Sequence, residues 1–234
     1  MKFSVVVPTL NEEKYIGKCL KSISEQEIKP EIIVVDSKSK DKTVEISMKY
    51  AAKVLAGIPG NISKNRQLGA EAASGDIIVT ADADTIYPKG WLKRIAKHFQ
   101  DKKVVAVSGP TVPLPEESVF MDRFLYLLGN LSLLILHKLK VVWFRGSNSA
   151  YRKEFFFKAG GYDTRLKARE DSDLSKRVAN FGKTVFDWNI VVMTSMRRRR
   201  STGWLKTIRY YIDTPIALIT KKIYYERPEK RSKS

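Results

Sequence analysis

The chain has 234 residues, 43% of them hydrophobic and 29% charged, which suits one large domain with a buried core, or one domain with a C-terminal appendage, and excludes a disordered chain. Its single cysteine, Cys19, excludes an internal disulfide, and no cysteine–histidine cluster offers a structural zinc site. The formal net charge is +18, and residues 196–234 hold 12 Lys or Arg against 3 Asp or Glu, so the C-terminal stretch is expected to seek phosphate.

The opening "MKFSVVVPTLNEEKY" has too short an apolar run for a secretory signal, and the expected location is the cytoplasm. Apolar runs then alternate with helical stretches: "FSVVVP", a helix over Glu12 to Gln26, "EIIVVD", a helix over Lys42 to Ala52, and a short strand at Lys53 to Ala56. A helix over Ser63 to Ala73, "DIIVTAD", a helix over Lys89 to Phe99 and "KVVAVSG" follow. Continuous Val/Ile runs separated by crossover helices predict an α/β fold with a mostly parallel sheet covered on both faces. Ligands of such sheets bind beyond the carboxyl ends of the strands, where Pro8, Thr9, Asp36, Asp82 and Asp84 stand.

After Pro110, "SVFMDRFLYLLGNLSLLILHKLKVVWF" has 14 residues without charge between Arg123 and Lys138, short of the roughly 20 that a spanning helix needs. A helix lying in a groove or on a bilayer surface is expected. "FRGSNSAYRKEFFFKAGG" reads as strand, tight turn and short helix, and a further helix begins around "REDSDL". Beyond "RRRR", Arg197 to Arg200, the residues Trp204, Leu205, Ile208, Tyr211 and Ile212 fall at helical spacing and Pro215 interrupts them. That pattern fits either an interfacial helix or one packed on its own domain.

Asp82 and Asp84 sit at i and i+2 after an apolar strand. On extended backbone both carboxylates reach one hard cation, Mg²⁺ or Mn²⁺, whose other oxygens come from water and a diphosphate. An aspartate at a strand end also serves as a turn former or helix cap.

"FSVVVPTLNEEKYIGKCLKSI", "EIIVVDSKSKDKT", "NISKNRQLGAEAASGDIIVTADADT" and "REDSDLSKRV", in this order and spacing, resemble the family 2 glycosyltransferases, which have the GT-A fold. The likeness covers about residues 3 to 187. It implies transfer of a sugar, with inversion, from a nucleotide diphosphate donor. It also implies that Pro8, Thr9, Asn11 and Glu12 line the nucleotide pocket, that Asp36 contacts the base, and that Asn65 and Arg66 lie near the donor diphosphate. Asp82 and Asp84 look like the family's metal-binding acids, and Glu170 and Asp171 like its second acidic site, with Asp171 the base that takes the acceptor's proton. Acids in a helix first turn, as in "EDSDL", are also favoured by the helix dipole alone.

Where members often read Asp-Asp-Gly-Ser, this chain has Asp36-Ser37-Lys38-Ser39, and the Gln-x-x-Arg-Trp motif of processive members is absent. The expected units are a transferase domain over 1–195, divided into a donor half (1–110) and an acceptor half (111–195), and a membrane-associating segment over 196–234. The expected acceptor is a membrane lipid or lipid-linked glycan. Arg197, Arg198, Arg199 and Arg200 would clamp its phosphate at the cytoplasmic face of an anionic membrane, the rival for that run being a solvated loop. Nucleic acid is not an expected partner, because acids at successive strand ends repel phosphate unless a metal intervenes. The alternatives are an inactive membrane- or nucleic-acid-binding scaffold and a nucleotidyltransferase, whose usual glycine-rich loop is replaced here by "PTLNEE".

Overall fold

The computed structural model describes residues 1–166, 168–197, 200 and 203; Arg198, Arg199 and the amphipathic pattern from Trp204 onward lie outside the described residues. The strands in chain order are β1 (Phe3–Thr9), β2 (Glu31–Asp36), β3 (Lys53–Ala56), β4 (Ile77–Thr80) and β5 (Thr85–Ile86). They continue as β6 (Val104–Ser108), β7 (Thr111–Pro113), β8 (Ser149–Arg152), β9 (Lys183–Phe186) and β10 (Val192–Thr194). The helices are α1 (Ile16–Ser24), α2 (Thr43–Ser47), α3 (Ile62–Glu71), α4 (Trp91–His98), α5 (Phe120–Lys138), α6 (Lys153–Lys158) and α7 (Glu170–Val178).

Seven strands form one sheet in the order β3-β2-β1-β4-β8-β6-β9, and three form a small sheet, β5-β10-β7. Within the large sheet only β8 runs antiparallel, to both β4 and β6. Alternation along β1 explains the unbroken apolar run. Phe3, Val5 and Val7 pack with Ile16, Leu20, Trp91 and Leu92 on one face, and Val6 joins Ile33, Ile78, Ala70, Phe156 and Leu174 on the other. Helix α3 comes so close to the sheet that a Cβ at Gly69 would run into Val6 and stand 3.0 Å from Val35.

Four predicted helices are shorter than expected: α4 spans Trp91–His98 in place of Lys89–Phe99, α3 differs by a residue or two at its ends, and in α1 and α2 the backbone groups near one end have other partners. The chain leaves β1 through Asn11, whose φ is 54°, and the Glu12 amide donates to Thr43 Oγ1 at 2.7 Å. A turn closed on Glu12 O then occupies the place of the first helical turn, and α1 starts at Ile16. Helix α2 ends at Ser47, with the Ala52 amide already bonded to Ile32 O at 2.9 Å. The predicted Ser63–Ala73 helix begins at Ile62, capped by Asn61, whose side chain accepts from the Lys64 amide, and ends at Glu71.

Helix α5 is one continuous element, but among the described residues no helix is long and apolar enough to cross a membrane. Its inner face buries Asp122, Gly129, Asn130 and Leu133. Asn130 brackets Thr111, donating to its carbonyl at 2.9 Å.

Candidate active site

The carboxyl ends of β1, β2 and β4 open on one side, and most of the predicted residues gather there. Thr9 and Asp36 are register partners, and Thr9 Oγ1 donates to Asp36 Oδ1 at 3.0 Å. Asp36 also accepts from the Ser39 amide at 2.9 Å and the Ser39 hydroxyl at 2.5 Å. The unusual Asp-Ser-Lys-Ser turn therefore closes on its own aspartate, with Lys38 at φ 64° where a glycine is easier. Pro8 is half-buried beside it, and Asn11 is exposed, its side chain accepting from the Lys40 amide at 2.9 Å.

Asn65 and Arg66 are neighbours in sequence with separate tasks. Asn65 is a loop clamp: its Oδ1 accepts from the Ile58 amide at 2.7 Å, and its Nδ2 donates to Ser37 Oγ at 2.6 Å. Arg66 is 3% exposed. Its Nη2 donates to Asp82 at 2.6 Å, and its Nε stands 3.6 Å from Glu170. Burial alone would lower the pKa of this guanidinium, but Asp82, Tyr162, Glu170 and Asp171 outweigh it and hold the pKa above its ordinary value.

Asp82 and Asp84 do not lie on extended backbone. Strand β4 ends at Thr80 and the chain turns, with the Thr85 amide bonded to Asp82 O at 3.2 Å. Asp82 consequently meets Arg66, whereas Asp84 Oδ2 accepts from Arg197 Nε at 3.0 Å. The same Arg197 guanidinium pairs with Glu12 and lies 5.2 Å from the centre of the Tyr15 ring. Glu12 and Asp84 outweigh the burial that would lower its pKa and raise it instead. The small sheet brings this distant residue in: β10 pairs with β5, and the Ser195 amide donates to Asp84 O at 2.9 Å. Arg200 reaches elsewhere, donating to Glu117 O at 2.7 Å.

Asp171, in the first turn of α7, accepts from the Gly146 amide at 2.8 Å and from the Ser172 amide at 2.7 Å. Glu170 is buried at 4% exposure. A side chain at Gly146 would collide with the Arg66 guanidinium. Sequence reasoning read Gly146 only as part of a tight turn and Ser39 only as a candidate cap of the next helix, and it missed Tyr15 and Tyr162; Ser39 instead donates to Asp36.

Among the described residues no three His, Cys, Asp or Glu side chains gather as a ready metal cage. A hard divalent cation needs only one or two carboxylates when a diphosphate supplies further oxygens. Glu12 and Asp84, drawn around the one Arg197 guanidinium, form an oxygen pair of that kind and fit such a cation when Arg197 gives way, whereas Asp82 is turned to Arg66, so the expected Asp82–Asp84 pair is not formed as such.

The model of the family described as "Glycosyl transferase family 2" matches residues 4–159. The poly(ribitol-phosphate) beta-N-acetylglucosaminyltransferase TarS of Staphylococcus aureus is 34% identical over 151 residues, 55% of this chain and 26% of the relative. The glucosyl-dolichyl phosphate glucuronosyltransferase of Haloferax volcanii is 28% identical over 192 residues, 76% of this chain and 61% of the relative. The chain thus spans about a quarter of the first relative's length and 61% of the second's.

Among solved structures, the mannosyltransferase PcManGT of Pyrobaculum calidifontis, in complex with GDP-Man and Mn²⁺, shares the fold with a TM-score of 0.72 at 22% identity, over 96% of this chain and 66% of that one. TarS 1-349 with UDP-GlcNAc gives 0.67 at 23% identity, over 87% and 62%. With the family model matched across β1 to α6 and the strand-end acids in one cleft, the chain belongs to glycosyl transferase family 2.

Proposed function

We propose that the chain is an inverting glycosyltransferase that moves a sugar from a UDP- or GDP-sugar to a membrane lipid or lipid-linked glycan, working peripherally at the cytoplasmic face. One observation carries this reading: a single buried guanidinium, Arg66, contacts both Asp82 and Glu170, so the donor-side and acceptor-side acids share one cleft. Thr9, Asp36 and the Asn11 turn offer hydrogen-bonding groups for the nucleoside. Arg66 Nη1 is buried and makes no hydrogen bond among the described residues, and it would turn to the donor diphosphate or sugar when that enters the cleft. Asp171 is fixed by two backbone amides beside Gly146 and would take the acceptor hydroxyl's proton as the glycosidic bond forms.

Asp84 and Glu12 would hold Mg²⁺ or Mn²⁺, which neutralises charge on the departing diphosphate. Arg197 has to leave Asp84 and Glu12 for that, and once released it is a donor to phosphate in its own right. The GDP-Man and UDP-GlcNAc of the structural neighbours support a nucleotide-sugar donor, and the dolichyl phosphate in the name of the Haloferax relative supports a lipid-linked acceptor. On this reading residues 1–195 are the transferase unit and 196–234 assist at the membrane.

The test is thermal unfolding with UDP, GDP and their sugars, each with Mn²⁺, Mg²⁺ or chelator, on the unmutated chain and on Asp84→Ala. The expected result is a midpoint rise for one nucleotide that needs the metal and is lost in Asp84→Ala. No rise with any nucleotide would remove the transferase reading, and an unchanged metal-dependent rise in Asp84→Ala would remove Asp84 from the metal.

A further inference from the structure

We propose that the outward face of α5 is a docking surface for an anionic lipid bilayer, on which the domain lies with α5 in the plane of the interface. Phe120, Met121, Phe124, Leu127, Leu128, Leu131 and Ile135 are all exposed, Phe120 to 80% and Ile135 to 57%. At 100° per residue they fall within a single stripe about 120° wide. The stripe runs the length of a 19-residue helix, about 28 Å at 1.5 Å per residue. A soluble surface seldom leaves a continuous apolar band of that length to water.

Charge selects the occupant. Between Glu117 and Glu154 the only acid is Asp122, and it is buried on the opposite side of the helix, capping the Val119 amide at 3.0 Å. Exposed Arg123 flanks the stripe near its start, and exposed Lys138 and Lys140 stand at its end. An apolar band with no exposed acid on the helix itself, exposed Glu116 lying before its start, and with cations at both ends matches lipid chains beneath an anionic headgroup layer. A spanning role is excluded by packing, because the same helix is held to the domain through Gly129, Asn130 and Leu133.

The position of α5 gives the docking a purpose. The turn before its first residue holds the site's return strand: Glu117 accepts from the Ser195 hydroxyl at 2.7 Å and the Met196 amide at 2.9 Å. Asn130 in its middle accepts from Arg145 at 2.8 Å, one residue before Gly146 and its contact to Asp171. A bilayer against α5 would therefore lie one helix away from Arg145 and Gly146, near enough for an amphiphilic acceptor to keep its chains in lipid while its head enters the cleft. This deepens the lipid-acceptor reading and rests on it for its purpose, so the test uses neither donor nor acceptor.

The full chain carrying Leu131→Cys would be labelled with an environment-sensitive fluorophore; Cys19 is fully buried and free and stays unlabelled in the native protein. It is mixed with vesicles of phosphatidylcholine alone and with about one-third phosphatidylglycerol. The emission is expected to shift to the blue only with anionic vesicles. Leu128→Glu with Ile135→Glu should weaken vesicle binding at least tenfold while the midpoint without vesicles stays the same, since both side chains face water.

Emission already blue before lipid is added would overturn the proposal, because the face would then be covered by a second copy or by this chain's own 204–223 sequence. Binding unchanged by the two glutamates would overturn it as well, leaving the arginine run as the sole anchor. Vesicle binding with no nucleotide-induced stabilisation would sink the transferase reading and leave the docking surface standing.

Discussion

A guanidinium 3% exposed between Asp82 and Glu170 takes charge into a space with little water, so deleting it strands two carboxylates rather than merely losing a contact. Arg66→Met is expected to cost about 3 kcal/mol of stability, read from urea unfolding midpoints at neutral pH; a loss below about 1 kcal/mol would show that Asp82 and Glu170 do not depend on it. Asp84→Ala, at the partly buried pair with Arg197, should cost less than Arg66→Met, about 1 to 2 kcal/mol. Asp171→Asn should leave nucleotide-induced stabilisation in place while transfer to a hydroxyl acceptor falls by about 10²- to 10⁴-fold. Full turnover in that variant would mean an acceptor that is already ionised, such as a lipid phosphate. The strand-end acids were legible because period and position mark strand ends. The place of Arg197 was not: its partner Asp84 is 113 positions away in sequence, and the sequence alone assigned the arginine run to the acceptor. Only the pairing of β10 with β5 brings the two together.

At the scale of elements, the far end of the large sheet is tied by Glu31, at the start of β2. Its carboxylate accepts from the Ser4 hydroxyl at 2.5 Å and the Ser74 amide at 2.8 Å, and pairs with Lys53 at 2.9 Å. Burial would raise its pKa, but the hydrogen bonds from Ser4, Ser74 and Lys53 outweigh that and bring it from the ordinary 4.5 down to about 2. The unfolded chain therefore takes up a proton at higher pH than the folded one does. The stabilisation is complete above pH 4.5 and is lost as pH falls from there through about 2, a contribution of roughly 2 kcal/mol after allowance for solvent screening. Glu31→Gln should flatten the stability profile across that window, as measured by chemical unfolding at a series of pH values; a profile as steep as that of the unmutated chain would place the acid sensitivity in other carboxylates. Strands β1, β2, β4 and β6 were legible because both faces of the sheet are buried and the apolar runs are unbroken, whereas the short β5, β7, β9 and β10 carry no such run and were not foreseen. Helix ends were less legible, since α1 and α2 are cut short by loop contacts, such as Glu12 to Thr43, that no local pattern encodes.

At the scale of the whole molecule, the sequence conveyed a mostly parallel sheet but not the strand that runs against it. The segment "SAYR" of β8 is less apolar than its neighbours β4 and β6, and nothing in it marks a direction, which is set by the connection rather than by composition. Insertion of β8 between β4 and β6 has a consequence for how the chain acquires its structure. Strands β1 to β4 are neighbours that need only the first 80 residues, so they can assemble as the chain emerges. Strand β6, made soon afterwards, has no place beside them until residues 149–152 arrive to bridge it. During that interval β4 and β6 each present an unpaired apolar edge, the condition under which nascent chains join one another. The closing step is a long-range one and therefore slow, and the yield of native protein is expected to fall as the concentration of chains still lacking β8 rises.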